Sequence, residues 1–73
     1  MKTLGTRLKE LRAERGLYQS DLAVILSVSL RQVQRYEKDE SDMALSTAIF
    51  LADYFNVSLD YLIGRTDNRE IEC

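Results

Sequence analysis

Apolar residues recur at helical spacing along most of the chain, and short polar stretches divide the pattern into five segments. In the first segment, Leu4, Leu8 and Leu11 fall on one face of a helix. No segment alternates apolar and polar residues as a half-buried strand does. The pattern therefore predicts an all-α fold with helices over about residues 4–15, 19–26, 30–38, 43–55 and 59–63.

The residues that flank these segments supply start and stop signals for helices. Hydroxyl and carboxylate side chains accept backbone N–H groups at helix starts, which predicts N-caps at Thr3, Ser29, Asp42 and Ser58. Gln32 follows Ser29 by three residues, so the two side chains are expected to form a reciprocal capping box. Gly16, Asn56 and Gly64 tolerate left-handed backbone and are expected to end helices.

The predicted core consists of the apolar faces that these helices turn towards one another. On the fourth helix, that face is expected to hold Leu45, Ala48, Ile49, Ala52 and Phe55. The full set expected in the core is Leu8, Leu11, Leu17, Leu22, Ala23, Leu26, Val33, Ile49, Ala52, Phe55, Val57 and Leu62. The 73 residues have room for one domain, placed at 1–66, and a polar tail at 67–73 that is expected to fray.

The second and third predicted helices are joined by residues 27–29 alone. A link of that length forces a sharp angle, as in a helix-turn-helix unit. Ala23 suits such a unit because a small residue lets the third helix approach the second closely. The polar face of the third helix carries Arg31, Gln32, Gln34, Arg35 and Lys38. Arginine and glutamine pair with base edges in the major groove of DNA, so this face is a candidate reading surface.

The stretch from Gln19 to Glu37 resembles the helix-turn-helix of the Cro and phage-repressor family. The matching positions are Gln19, Leu22, Ala23, Val28, Ser29, Val33, Tyr36 and Glu37. The likeness continues through LKELRAERGL before the unit and LADYFNVSLDYLIG after it, so that it covers about residues 4–64. It implies a compact five-helix, lambda-repressor-like DNA-binding domain.

The chain departs from the family pattern at its turns. Ser27 stands where the family usually has glycine, at a position that often requires a positive φ. The family often has glycine near Asp39 and proline near Met43, in the loop after the third helix. Tyr18 replaces the usual serine or threonine N-cap of the second helix, and tyrosine does not cap in that way. These departures bear on turn and loop geometry more than on the fold.

The resemblance implies that the third helix lies in the major groove with its N-terminal side chains on base edges. The expected base contacts are Leu30, Arg31, Gln32, Gln34 and Arg35. The expected phosphate contacts are Gln19, Ser29 and Lys38, and weaker candidates are Arg7 and Lys9. Arginine and glutamine also favour helices without any ligand, so the alternative is an ordinary solvated helix face.

Two further sets of residues take roles from the resemblance. Arg12 of the first helix is expected to pair with Glu37 at the end of the third; the alternative is that each is solvated separately. Family members usually bind DNA as two-fold dimers. The candidate dimer surface is the last helix with its flanks, namely Tyr54, Val57, Leu59 and Tyr61. The alternative is that these four residues only close the core.

The distribution of charge changes the meaning of an overall net charge of −2. Residues 1–38 carry a net charge of +4, whereas residues 39–73 carry −6. The basic half contains the predicted reading helix, so the asymmetry indicates a polyanion at one end of the domain. Ordinary scatter of surface charge is the alternative explanation.

Several classes of function lack the residues that they require. The chain has no histidine, no glycine-rich phosphate loop and a single cysteine, Cys73. We therefore expect no enzyme activity, no cofactor and no metal site. No apolar run is long enough to span a membrane and no signal peptide is evident, so a cytoplasmic location is expected. No small-molecule effector is indicated.

The sequence predicts a regulator of transcription that binds double-stranded DNA sequence-specifically. It is expected to act as a repressor and a homodimer on a two-fold symmetric operator. The alternative is a protein-interaction module, antirepressor- or antitoxin-like, that uses the acidic C-terminal half. The overall acidity and the missing turn glycine favour that alternative, whereas the basic reading helix favours DNA.

Overall fold

The computed structural model describes residues 2–71, and these residues form five α-helices and no strand. The helices are α1 (Leu4–Glu14), α2 (Gln19–Leu26), α3 (Leu30–Glu37), α4 (Leu45–Phe55) and α5 (Leu59–Leu62). The all-α prediction is confirmed, and the predicted bounds of α2 match. None of the described helices has the length and hydropathy that a membrane crossing requires. Cys73 lies outside the described residues.

Side-chain caps fix the starts of three helices, as predicted. Thr3, Ser29 and Ser58 each accept the backbone N–H of the residue three positions later. Gln32, however, is not seen to complete a reciprocal capping box with Ser29. Its side-chain amide donates instead to Oγ of Ser41 at 3.0 Å, so it links α3 to the following loop.

The start of α4 differs from the prediction. This helix begins at Leu45, and its N-cap residue is Ala44, whose side chain cannot accept a hydrogen bond. Asp42 therefore lies outside the capping position, and its predicted role is wrong. The predicted left-handed stops are present, since Asn56 has a φ of 56° and Gly64 a φ of 85°.

The core takes one face from each of the longer helices, and the buried face of α4 is the predicted one only in part. Ala48, Ala52 and Phe55 are buried as predicted, but the other two predicted residues are not. Leu45 and Ile49 are 66% and 45% exposed, whereas Leu51 is completely buried. The buried set that begins at Ala48 follows helical spacing as well as the predicted set does, so spacing does not distinguish the two faces. The buried apolar residues are Leu8, Leu11, Leu22, Ala23, Val33, Ala48, Leu51, Ala52, Phe55, Val57, Tyr61 and Leu62, with Leu17 and Leu26 packed against them.

Residues 65–71, the C-terminal segment, pack back against the helices, whereas the sequence predicts that the tail frays. Its Arg69 carbonyl accepts the N–H of Ser58 at 2.8 Å. The Arg69 guanidinium donates two hydrogen bonds to the carboxylate of Glu14, at 2.8 and 2.6 Å. These bonds raise the pKa of Arg69 and lower the pKa of Glu14. The segment is ordered because contacts distant in sequence hold it, which the polar composition does not indicate.

Candidate nucleic-acid interface

A close backbone approach fixes α3 against α1. A Cβ added at Gly5 would lie 2.6 Å from the carbonyl oxygen of Tyr36 and 2.7 Å from that of Glu37. The N-terminus of α1 therefore meets the C-terminus of α3, where the partial charges of the two helix dipoles are opposite. Gly5 was not among the predicted residues, although a glycine inside a helical pattern can signal such a contact.

Asp39 completes this contact directly after α3. Its backbone is left-handed, with a φ of 58°. Its carboxylate accepts hydrogen bonds from the N–H of Gly5 at 2.9 Å and from the hydroxyl of Thr3 at 2.6 Å. A glycine tolerates this backbone without strain but supplies no acceptor. The left-handed backbone of Asp39 costs some strain, but its carboxylate caps the N-terminus of α1.

The turn between α2 and α3 keeps a left-handed backbone with serine in the place of glycine. Ser27 has a φ of 57° and a ψ of 42°. Its N–H donates to the carbonyl of Val24 at 3.1 Å, and the N–H of Val28 donates to that of Ala23 at 3.0 Å. These bonds satisfy carbonyls at the end of α2. The departure at Ser27 thus costs strain but leaves the turn intact.

The ion pair predicted between α1 and the end of α3 is present and largely buried. Nε of Arg12 donates to Oε2 of Glu37 at 2.6 Å, and Nη2 donates to Oε1 at 3.2 Å. The side chains of Arg12 and Glu37 are 14% and 3% exposed. Arg12 also donates to the carbonyl of Leu17 at 2.8 Å, and the side-chain amide of Gln19 donates to Glu37 at 3.0 Å. One carboxylate therefore joins α1, α2 and α3.

The side of α3 that faces away from the core carries residues predicted to contact bases. Val33 is completely buried, which fixes the orientation of the helix about its axis. Leu30 is 45% exposed, and Arg31 is exposed with no hydrogen bond or ion pair among residues 2–71. Arg35 is exposed as well, and its Nη2 donates to the carbonyl of Glu40 at 3.3 Å. Two guanidinium groups therefore project from one short helix.

The two glutamines of α3 are less accessible than these arginines. Gln32 and Gln34 are half-buried, and the Gln32 side chain is already bonded to Ser41. The face thus presents cationic and apolar groups at its N-terminal end, while amides lie at its margin. Such an arrangement can bind an anionic, grooved surface through hydrogen-bond donors.

The predicted phosphate contacts lie at helix ends. Ser29 is exposed at the start of α3, and Lys38 is exposed at its end. Gln19 opens α2, where unpaired backbone N–H groups favour an anion, although its side chain is bonded to Glu37. Lys9 is exposed on α1.

Arg7 is buried, so its prediction as a weaker phosphate contact is wrong. It is 4% exposed, its guanidinium lies 3.9 Å from the centroid of the Tyr61 ring, and it donates to Asp67 at 2.5 Å. Burial disfavours the charged form, but the hydrogen bond to Asp67 and the adjacent Tyr61 outweigh this effect and raise the pKa of Arg7. Arg7 is therefore an anchor for the C-terminal segment. Residue type alone gives no signal of this role.

The structure divides the four residues predicted for a dimer surface. Val57 and Tyr61 are 3% and 4% exposed and belong to the core, so their predicted role is wrong. They close the core of one chain and present almost nothing to a second. Leu59 is half-buried. Tyr54 is exposed, and its ring stacks on that of Phe50 with 6.3 Å between centroids.

Comparison with known sequences identifies relatives over most of the chain. The sequence profile of the helix-turn-helix family matches residues 8–62. The HTH-type transcriptional regulator ImmR of Bacillus subtilis is 37% identical over 65 residues, which are 89% of this chain and 51% of that protein. The HTH-type transcriptional regulator PrpR of Mycobacterium tuberculosis is 35% identical over 65 residues, 89% of this chain and 13% of that protein. The chain thus spans about half or less of the curated relatives named here.

A solved structure shares the fold as well. The crystal structure of a transcriptional regulator from Listeria innocua has a TM-score of 0.82 to this chain at 31% sequence identity. The match covers 96% of this chain and 64% of that one. The predicted fold class, a five-helix domain with a central helix-turn-helix, is confirmed by this match and by the helix order described above.

Proposed function

The chain belongs to the helix-turn-helix family of the Cro/C1 type, and from that premise we propose that it binds double-stranded DNA sequence-specifically as a transcriptional regulator. In this proposal α3 lies in the major groove with its N-terminal residues on base edges. The observation that carries the proposal is Arg31, which projects unpaired among residues 2–71 from a helix held in place by buried Glu37. A reading helix that is already ordered loses little conformational entropy on binding.

Arg31 is the principal base contact in this proposal, because a guanidinium pairs bidentately with O6 and N7 of guanine. Leu30, beside it, contacts a thymine methyl. Arg35 reads a second base after it releases the loop that follows α3. Gln34, and Gln32 once freed from its own loop contact, reach bases or the adjoining backbone.

The proposed contacts to the sugar–phosphate backbone come from helix ends. The N-terminus of α2 receives one phosphate through backbone N–H groups and Gln19. The hydroxyl of Ser29 donates to a phosphate while its oxygen caps α3, and Lys38 contributes a charge at the other end. The charge of +4 on residues 1–38 supports this arrangement, with the acidic half turned away from the DNA.

We further propose that the protein acts as a repressor and as a homodimer on a two-fold symmetric operator, with half-sites about 34 Å apart. With Val57 and Tyr61 in the core, the proposed contact surface is the stacked pair Phe50 and Tyr54. Exposed aromatic residues are enriched at protein interfaces. The guanidinium carbon of Arg15, at the end of α1, lies 6.0 Å from the centroid of the Tyr54 ring, so a positive charge lies beside this surface.

Selection of bound duplexes from a random DNA pool, at moderate salt, tests the proposal. A two-fold symmetric motif is expected, and the spacing of its half-sites reports the dimer geometry. A folded protein that enriches no sequence would contradict sequence-specific binding.

Arg31→Ala tests the principal base contact. Binding to the selected site should weaken by about 1–3 kcal/mol, and preference should relax at one base pair. Arg65→Ala is the matched control, since it removes a 73% exposed arginine side chain in the C-terminal segment and should leave binding unchanged. Equal weakening of Arg31→Ala on all sequences would instead make Arg31 a phosphate contact.

A protein-interaction role is a second candidate, and it is compatible with DNA binding. The observation that favours it is an apolar groove with an acidic rim in the C-terminal half, which the DNA-binding proposal does not use. Its occupant is considered next.

A further inference from the structure

A groove of about 400 Å³ lies between α4, the start of α5 and the C-terminal segment. Its apolar lining includes buried Ala52 and Val57 together with Ile49, Leu59 and Ile71. Ile49 and Ile71 remain 45% and 53% exposed in the free chain. A concave site with accessible apolar side chains gains hydrophobic free energy when a complementary surface covers it.

The rim of this groove is acidic. Asp53, Asp60 and Glu70 line it. Arg65 lies 3.9 Å from Asp60 and offsets that charge, whereas Asp53 and Glu70 have no ion-pair partner in the described part of the chain. The rim therefore keeps two uncompensated carboxylates beside an apolar floor. An occupant that complements both features carries apolar residues flanked by cations.

We propose that the groove docks a basic amphipathic helix of a partner protein. Its apolar side chains, spaced i, i+3, i+4 and i+7, cover Ile49 and Leu59, as in helix-in-groove recognition. Its flanking lysines or arginines pair with Asp53 and Glu70. A second copy of this chain fits poorly, because a two-fold contact through the groove sets these acidic rims against each other.

A direct binding experiment tests the proposal with the 73-residue chain and no DNA present. The probe is a fluorescein-labelled synthetic helix of about four turns, with leucines at the spacing above and lysines on both flanks. Fluorescence anisotropy is expected to report saturable binding that weakens as salt rises. A scrambled peptide of the same composition is expected to bind at least about tenfold more weakly, because its leucines no longer share one face.

Variants of exposed residues locate the binding site. Ile49→Ser should lower the affinity for the peptide about tenfold, and so should the double variant Asp53→Asn, Glu70→Gln. The matched controls are Leu45→Ser, which removes a 66% exposed leucine of α4 outside the groove, and Glu40→Gln, which neutralises an exposed carboxylate elsewhere. Both controls should bind the peptide as the wild type does.

Three outcomes would overturn the proposal. One is equal binding of the scrambled peptide, and another is equal weakening by Leu45→Ser. The third is a dimer in sedimentation analysis that Ile49→Ser dissociates and Leu45→Ser does not, which would assign the groove to a second copy. Because peptide binding is measured without DNA, failure of the DNA-binding proposal leaves this test unaffected.

Discussion

The two halves of the domain are fastened in different ways. Around α3 the contacts are buried, because the Glu37 side chain is 3% exposed where it joins α1, α2 and α3. Around the C-terminal segment Arg7 is buried, but the carboxylates that complete the two ion pairs are open to water, since Asp67 and Glu14 have side chains that are 98% and 48% exposed. Buried ion pairs are screened little by salt, whereas exposed pairs are screened strongly. The orientation of the proposed reading helix α3 is therefore fixed before binding. The C-terminal segment, which forms one wall of the acidic groove, is held by contacts that salt can weaken.

Removal of Glu37 should have the largest effect on stability, because it breaks the buried contacts that hold α3. Glu37→Ala is expected to lower the free energy of unfolding by about 3 kcal/mol, because Arg12 then stays largely buried without a counter-ion. Urea denaturation measures the change. Glu40→Ala, which removes an exposed carboxylate just after α3, should change stability by less than about 0.5 kcal/mol. Equal stability of the two variants would mean that the buried network does not fasten α3.

Ser27 and Asp39, the two residues with left-handed backbone that flank α3, should have smaller and opposite effects on stability. Ser27→Gly should raise the free energy of unfolding by about 1 kcal/mol, because glycine relieves the strain of a positive φ. Asp39→Gly relieves similar strain but removes the acceptor for Gly5 and Thr3, so it should lower stability by about 1 kcal/mol. Thermal unfolding measures whether each variant is more or less stable than the wild type. A gain in both variants would show that the Asp39 cap contributes little.

The smallest expected effect concerns the C-terminal segment and its dependence on pH. Hydrogen bonds from Arg69 lower the pKa of Glu14 below its ordinary value of 4.5. A lowered pKa contributes stability above pH 4.5, and this contribution is lost as the pH falls through the lowered value. We therefore expect the N–H of Ser58, which donates to Arg69, to lose hydrogen-exchange protection at low pH or high salt.

Glu14→Gln should reproduce that loss of protection at neutral pH, because a neutral amide with one acceptor oxygen cannot keep the ion pair or both hydrogen bonds from Arg69. Glu10→Gln is the matched control, since Glu10 lies on the same helix and pairs with Lys2 instead. Unchanged protection of Ser58 in Glu14→Gln would mean that the segment is held by its other contacts.

Local rules account for much of the helical framework. The caps at Thr3 and Ser58 join groups three residues apart, and the bounds of α2 follow from its apolar spacing and flanking residues. The ion pair between Arg12 and Glu37 spans 25 residues, beyond the reach of any local rule, and it was predicted from the family resemblance. The candidate reading face was likewise predictable, because buried Val33 leaves Arg31 on the opposite side of a short helix.

By itself the sequence determined the number of helices, most of their ends, the helix-turn-helix unit and the uneven charge. These features depend on backbone hydrogen bonds, side-chain periodicity and composition, all of which act over a few residues or add along the chain. Only the tertiary structure decided which face of α4 is buried, that Arg7 lies under Tyr61, and that residues 65–71 wall a groove. The reason is physical: spacing defines a face, but burial of that face depends on which distant surface packs against it.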